Sequence, residues 1–224
     1  MYMSSDIRVL LLALILLVIL VVIAWSINIP KHEEVRREGS HVDLTGIKVY
    51  IICKNSTIRN NLVKYLEGLG AILVKKAENA DICIIDAEAN LTDNVFKVLG
   101  SMFLEGKGII VFSSKAHTEK MARILKEITS LNKTVYLKFK DFINRLEHID
   151  ITLTITKTYP NYSMSMIKTQ PYIYAVGIKL GYEVYNNKTY VYPITSSSMR
   201  QSVEEILKDL PEAIAFILSN LSKK

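Results

Sequence analysis

From Val9 to Trp25 the chain reads VLLLALILLVILVVIAW, seventeen apolar residues without a charge, and Ser26, Ile27, Asn28 and Ile29 follow before Pro30. A helix built from this run is apolar on every side. It has no polar face to turn to water, so it suits hydrocarbon better than the flank of a globular domain. Val9–Ile29 spans about 31 Å as a helix, close to the roughly 30 Å hydrocarbon core of a bilayer. Trp25 stands near one end, where an indole favours the membrane interface, and Pro30 suits the exit from the helix. The competing reading is a cleaved signal peptide, cut after Ser26, with the small residues Ala24 and Ser26 two apart before the cut. The run exceeds the usual length of a signal's apolar region, and Arg8 alone supplies positive charge before it. The expectation is therefore a retained single-pass anchor that meets the lipid bilayer over residues 9–29, followed by a polar stalk over residues 30–46.

Two signals bear on which side the rest of the chain occupies. Lys31, Arg36 and Arg37 follow the apolar run, interleaved with Glu33, Glu34 and Glu38. Counted alone, the basic residues favour a cytoplasmic C-terminal domain. Asn-x-Ser/Thr triplets point the other way. They begin at Asn55, Asn90, Asn132, Asn161, Asn187 and Asn220, all after the apolar run. With 13 Asn and 30 Ser or Thr in 224 residues, chance gives about 1.7 such triplets. The excess outweighs three basic residues mixed with three acids, so these six asparagines are candidate glycosylation sites on an extracytoplasmic domain.

Composition narrows the function classes. The net charge is +6, with the lysines scattered; no basic stripe interleaves with aromatics, and nucleic acid is not an expected partner. Cys53 and Cys83 are the two cysteines, no Cys-x-x-Cys occurs, and the four histidines are dispersed. Neither a metal site nor a cofactor is expected. Both cysteines fall in segments that read as neighbouring buried strands, where a free thiol acts as a small hydrophobe.

After the stalk, strand and helix signals alternate. Ile47–Cys53, Ala71–Lys75, Asp81–Asp86 and Gly108–Ser113 read as short strands rich in Ile and Val. Ser56–Leu69, Thr92–Glu105 and Ala116–Leu131 carry apolar residues at helical spacing, and Gly70 closes the first of these. This alternation predicts an α/β fold: a parallel sheet in three layers with strand order 2-1-3-4, as in flavodoxin-like folds. A second, β-rich lobe is expected over residues 141–224. Val135–Phe139 reads as a strand at the end of the first lobe, residues 47–140, and Asp141–His148 as a short helix opening the second. Ile149–Thr158 alternates as a half-exposed strand. Pro171–Leu180 and Tyr182–Ile194 read as further strands, with a hairpin turn at Asn186-Asn187. Ser198 and Gln201 form a capping-box pattern ahead of terminal helices over Met199–Asp209 and Glu212–Leu221, broken or kinked at Pro211.

In such a sheet ligands bind at the carboxyl ends of the strands. The loop Cys53-Lys54-Asn55-Ser56-Thr57 has no glycine and is not a phosphate cradle. Asp86 and Glu88 offer two carboxylates, fewer oxygen ligands than a divalent cation takes. Asp86, Ser114 and His117 supply the residue types of a hydrolytic triad, without the Gly-x-Ser-x-Gly elbow that exposes a serine. Sugars on Asn55 or Asn90 would crowd the same edge.

Over Ile47–Leu131 the succession of a helix ending LEGLG, then DICIID, a helix ending FLEGKG and then IIVFSS resembles the class I glutamine-amidotransferase-like domain. It is most similar to that family's non-catalytic, membrane-associated relatives, which include a luminal module of the eukaryotic oligosaccharyltransferase complex. Catalytic members place a cysteine in a glycine-rich elbow. Here SSKAH occupies that turn, so the resemblance implies a binding or scaffolding module. The Ile- and Lys-rich, Gln-poor composition also resembles that of thermophilic archaeal proteins.

Eight of the twelve tyrosines lie between Tyr159 and Tyr192. Tyr172, Tyr174, Tyr182, Tyr185, Tyr190 and Tyr192 are the candidates for an interaction face; the alternative is that tyrosine is simply a good strand residue. The leading expectation is a membrane-anchored, extracytoplasmic, non-enzymatic binding or accessory subunit with a protein partner in a membrane or envelope complex. The alternatives are an anchored hydrolase or transferase working from the carboxyl-edge loops, and a glycan or small-ligand receptor.

Overall fold

Four Ile- and Val-rich segments form parallel strands: β1 (Lys48–Ile52), β2 (Ile72–Leu73), β3 (Ile82–Asp86) and β4 (Gly108–Phe112). In the computed structural model, which describes residues 42–147, 153–159, 162–168, 172–200 and 202–222, they lie in the order β2-β1-β3-β4. Every residue of β3 and β4 is buried. Apart from Asp86 their runs are apolar, because both faces of a central parallel strand are covered. The apolar run and most of the stalk lie outside the described residues. Among the described residues no helix is long and apolar enough to cross a membrane.

The connecting helices are α1 (Ser56–Gly68), α2 (Asp93–Leu104) and α3 (Thr118–Ser130). The turns ending α1 and α2 are built alike. Gly70 (φ 90°) and Gly106 (φ 81°) adopt the left-handed conformation. In each case the next residue's N–H returns to the helix: Ala71 to the Leu66 carbonyl and Lys107 to the Met102 carbonyl. This closure satisfies the last carbonyls of each helix, and it explains why glycine stands at 70 and 106.

The sheet does not stay parallel. β7 (Tyr172–Tyr185) and β8 (Lys188–Arg200) extend it, each antiparallel to its neighbour, to give the order β2-β1-β3-β4-β7-β8. The wholly parallel sheet expected from the alternating elements is thus corrected to a mixed six-stranded one. Val42–Lys224 form one compact unit, and the boundary drawn at residues 140 and 141 falls inside a helix. That helix, α4 (Lys133–Glu147), replaces both the strand expected at Val135–Phe139 and the short helix after it. Val135, Phe139, Ile143 and Leu146 are its buried residues, a 3.6-residue stripe that overrides the β propensity of Val-Tyr-Leu-Lys-Phe.

Two short strands, β5 (Leu153–Tyr159) and β6 (Tyr162–Lys168), pair as a separate antiparallel hairpin. The alternation read from Ile149 is strand from Leu153 onward, and residues 148–152 lie outside the described residues. The turn at Asn186-Asn187 is where it was expected, with φ of 49° and 57°, the left-handed pair that a two-residue hairpin needs. The strand before it runs unbroken through Gly181.

The end of the chain also differs from expectation. Ser198, Met199 and Arg200 belong to β8 and pair with β7, so Ser198 is no helix cap. The chain turns at Ser202, whose hydroxyl accepts from the Glu204 N–H. After one 3-10 turn (Val203–Glu205), α5 (Ile206–Ser222) runs straight through Pro211. Arg200 Nε donates to Asp209 Oδ2 at 2.5 Å, tying the end of β8 to the first turn of α5.

Three layers result. Helices α2, α3 and α4 cover one face of the sheet, burying Phe103, Met121, Leu125 and Phe139 against Ile85, Val111 and Val176. On the other face α1 and α5 bury Leu62, Leu66, Ile214 and Leu218 against Ile84, Ile110 and Phe112. A bulge in β7 joins the two halves. Ile173 pairs with Met199 and Ala175 with Ser198, leaving Tyr174 as the extra residue. Tyr174 and Ala175 therefore both point to the α1/α5 face, while Ile173 and Val176 point to the other.

Candidate functional site

The order β2-β1-β3 places the reversal of chain direction between β1 and β3, and the crevice at their carboxyl ends is the expected ligand position in this architecture. Here one side chain bridges the two loops that flank the crevice. Asp86, the last residue of β3, is 3% exposed. Its Oδ2 accepts from the Lys54 N–H (3.2 Å) and the Cys53 thiol (3.5 Å), both in the loop after β1, and its Oδ1 accepts from the Glu88 N–H (3.0 Å). The carboxylate thus stitches two loops together across the switch point.

Cys53 lies just past β1 and is half-buried, not fully buried as its strand reading implied; Cys83, within β3, is buried. Both thiols are free. Burial, reinforced by the Asp86 charge, pushes Cys53 up to about 11, against a hydrogen bond to the Asn55 carbonyl that pulls it down. Burial pushes Cys83 up to about 12. At neutral pH both are thiols, and the nucleophilic form is the thiolate.

A second cluster sits beside the first. Glu88 Oε1 is 2.6 Å from His117 Nδ1, and Lys120 Nζ donates to Glu88 Oε2 at 2.7 Å. Of the candidate triad Asp86, Ser114 and His117, the acid that meets His117 is Glu88, while Asp86 is engaged by the β1 loop. Ser114 is half-buried. Its neighbour Ser113 is the buried serine, and the Ser113 hydroxyl accepts from the Lys115 and His117 N–H groups at 3.2 and 3.1 Å. Those bonds shape the turn into α3, where Ala116 is held at φ 53°, a left-handed conformation uncommon outside glycine and asparagine. The His117–Glu88 pairing was not read from the sequence. Glu88 stood out there only as a loop acid, and it reaches His117 because β3 and β4 are adjacent.

The Lys120 ammonium, and after it the His117 ring, hold the Glu88 carboxyl below its ordinary value of 4.5. A lowered folded pKa means that the interaction stabilises fully above 4.5 and is lost as pH falls through the folded value. Glu88→Gln is therefore expected to be less stable than wild type by up to about 1 kcal/mol near neutral pH, a modest figure because the partners are more than a third exposed. The gap should close on acidification below 4.5. Urea titrations of both proteins from pH 7 to pH 3 measure it; a constant gap across that range would contradict the assignment.

An open groove of about 570 Å³ lies beside the switch point, lined by Tyr50, Cys53, Arg59, Leu73 and Lys75 among others. Another, of about 400 Å³, is lined by Glu78, Lys97, Ser101, Glu105 and Lys107. Among the described residues no three His, Cys, Asp or Glu side chains converge as a metal cage.

The glycosylation candidates divide by structural duty. Asn55 caps α1, its Oδ1 accepting from the Thr57 and Ile58 N–H groups at 2.9 and 3.2 Å. Asn132 caps α4 in the same way, accepting from Thr134 and Val135. Asn187 forms the hairpin turn, and Asn90 precedes α2; all four are exposed. Helix capping and left-handed turns favour asparagine for reasons independent of sugars. Asn220 is half-buried on α5, its amide donating to Ser196 Oγ at 3.4 Å. Asn161 lies outside the described residues.

The six candidate tyrosines do not form one face. Tyr174 is 1% exposed and belongs to the core, a correction that follows from the β7 bulge. Tyr172 starts β7 at the carboxyl edge. Tyr182 donates to the Leu104 carbonyl at 2.7 Å and lies against Gly106. Tyr192 lies across Gly181 so closely that a Cβ there would stand 2.4 Å from its ring. Tyr185 and Tyr190 are 63% and 51% exposed. Gly181 pairs with Tyr192, Glu183 with Tyr190 and Tyr185 with Lys188, so Tyr185, Tyr190 and Tyr192 share one face of the hairpin.

Comparison with protein-family models, with curated proteins and with solved structures finds no match for this chain.

Proposed function

We propose that the chain is a membrane-anchored, extracytoplasmic, non-enzymatic binding or accessory subunit. The observation that carries this reading is the Asp86 stitch. The position where an α/β enzyme takes its ligand is bridged by a buried carboxylate bonded to its own flanking loops. The thiol beside it is held protonated. Five exposed apolar side chains, Tyr182, Val184, Tyr185, Tyr190 and Tyr192, lie together at the opposite edge, on the β7–β8 hairpin. The apolar run over residues 9–29 supports the anchor, and the excess of Asn-x-Ser/Thr triplets after it supports the outer side. The resemblance to non-catalytic amidotransferase-like modules, one of them luminal in a glycosylation complex, is consistent with an accessory role.

Purifying the full chain from its native membrane in mild detergent tests this. A partner present in constant proportion through two independent separations is expected. A clean monomer that hydrolyses or transfers a substrate through His117 and Glu88 would overturn the reading in favour of an anchored enzyme.

A further inference from the structure

The β7–β8 hairpin reaches well beyond the sheet that supports it. Ile178 pairs with Ile109, which places Lys179 level with Gly108, the first residue of β4. From Leu180 to Tyr185, β7 has only β8 as a partner. Six residues at about 3.3 Å each carry this two-stranded ribbon roughly 20 Å past the end of β4; its base lies against the α2–β4 turn, where Tyr182 donates to the Leu104 carbonyl and packs on Gly106, and Glu183–Tyr185 extend beyond that contact.

That edge is also where the chain enters the domain. Lys48, Asp81 and Gly108 form a hydrogen-bonded row across the starts of β1, β3 and β4: Asp81 N–H to the Lys48 carbonyl, and Gly108 N–H to the Asp81 carbonyl. Val42–Ile47 lead into Lys48 from this side, with the Gly46 N–H on the Gly70 carbonyl just before β2. The ribbon and the point of attachment to the preceding chain therefore share the amino edge, opposite the Asp86 stitch.

Twelve residues, 30–41, separate the end of the apolar run from Val42, and they span at most about 40 Å fully extended. The ribbon covers about half of that limit by itself. Its exposed side chains suit a headgroup layer. Tyr185, Tyr190 and Tyr192 share one face, and Tyr182 and Val184 lie on the other. Tyrosine offers an apolar ring with a polar tip, the combination enriched at membrane–water interfaces. Glu183 and Lys188 at the tip offset each other in charge, so the attraction is to the interface itself and not to anionic lipid.

We propose that the β7–β8 ribbon, with Asn187 at its tip carrying no sugar, inserts into the headgroup layer of the bilayer that holds the anchor, giving the domain a second membrane contact. This rests on the reading of residues 9–29 as an anchor, and the test separates the two. Trp25 is the only tryptophan, so in the wild-type full chain its quenching by lipid brominated near the headgroups, in phosphatidylcholine vesicles, reports the anchor. In a Trp25→Phe background, Tyr190→Trp and Tyr185→Trp report the ribbon, and Tyr172→Trp, at the opposite edge of the sheet, is the control. Quenching at positions 190 and 185 is expected to exceed that at 172 by at least about twofold, and to persist at high salt because it does not depend on lipid charge. Quenching of Trp25 with positions 190 and 185 no better quenched than 172 would overturn the ribbon contact while leaving the anchor in place. That is also the result expected if the ribbon serves a protein absent from the vesicles. No quenching of Trp25 would remove the anchor, and the ribbon proposal with it.

Discussion

Phe139→Ala is expected to lower stability by about 3–5 kcal/mol, the usual cost of emptying a fully buried aromatic site. Phe139 has no exposed surface, and its ring meets that of Phe103 edge-on at a centroid distance of 5.4 Å and an angle of 64°. It lies where α4 packs onto α2 and α3. For a domain of this size that loss corresponds to a fall in melting temperature of roughly 10–15 °C, measurable by far-UV circular dichroism. The neighbouring change Leu137→Ala, on the 58% exposed side of the same helix, should shift the midpoint by less than about 2 °C. If residues 135–139 formed the strand that their composition suggests, alternation would place 135, 137 and 139 together, and the two substitutions would cost similar amounts. The contrast between them is the test.

Asp86→Ala is expected to cost about 2–4 kcal/mol, because the Lys54 and Glu88 N–H groups lose their acceptor where water has little access. The melting temperature should fall by roughly 5–15 °C. Asp86→Asn keeps one acceptor oxygen and should recover about half of the loss. The sign of the effect separates two roles. A side chain that bridges the two loops stabilises the fold when present. A carboxylate kept for catalysis is commonly held at a cost to stability, so its removal is neutral or stabilising. An Asp86→Ala protein that melts at or above the wild-type temperature would undercut the non-enzymatic reading at its main support.

Much of the α/β half was legible because its signals are local. The strands at Lys48–Ile52, Ile82–Asp86 and Gly108–Phe112 announce themselves by continuous β-branched runs, and the helices between them by apolar spacing and glycine closures. The errors came where a local signal was real but served another purpose. Ser198 and Gln201 have the spacing of a helix cap, yet pairing with β7 carries β8 on to Arg200, and the helix starts only after Ser202. Pro211 has no N–H to give a helix, yet α5 continues through it, because the packing of Leu210, Ile214 and Leu218 on the sheet outweighs the one lost hydrogen bond. At the candidate site, the residue types around Asp86, Ser114 and His117 were visible, but their pairing was not. The expected order 2-1-3-4 already set β3 beside β4; what it left open is which acid of the β3 loop faces His117, and that is Glu88.

By itself the sequence determined the elements that depend on near neighbours. These are the long apolar run, the covered strands, the amphipathic helices, the asparagine caps and the Asn186-Asn187 turn. Each follows from side-chain period or from backbone preference at a single position. Only the tertiary structure decided how those pieces meet. It set β7 antiparallel to β4, placed the bulge that sends Tyr174 into the core, and left Tyr185 and Tyr190 outside on a ribbon at the edge where the chain enters. The physical reason is that alternation tells which residues share a face of a strand, but not which neighbour covers that face. Coverage depends on contacts between segments far apart in the chain. In this protein the last such contact along β7 is that of Tyr182 with Leu104 and Gly106, and Tyr185 and Tyr190 lie beyond it.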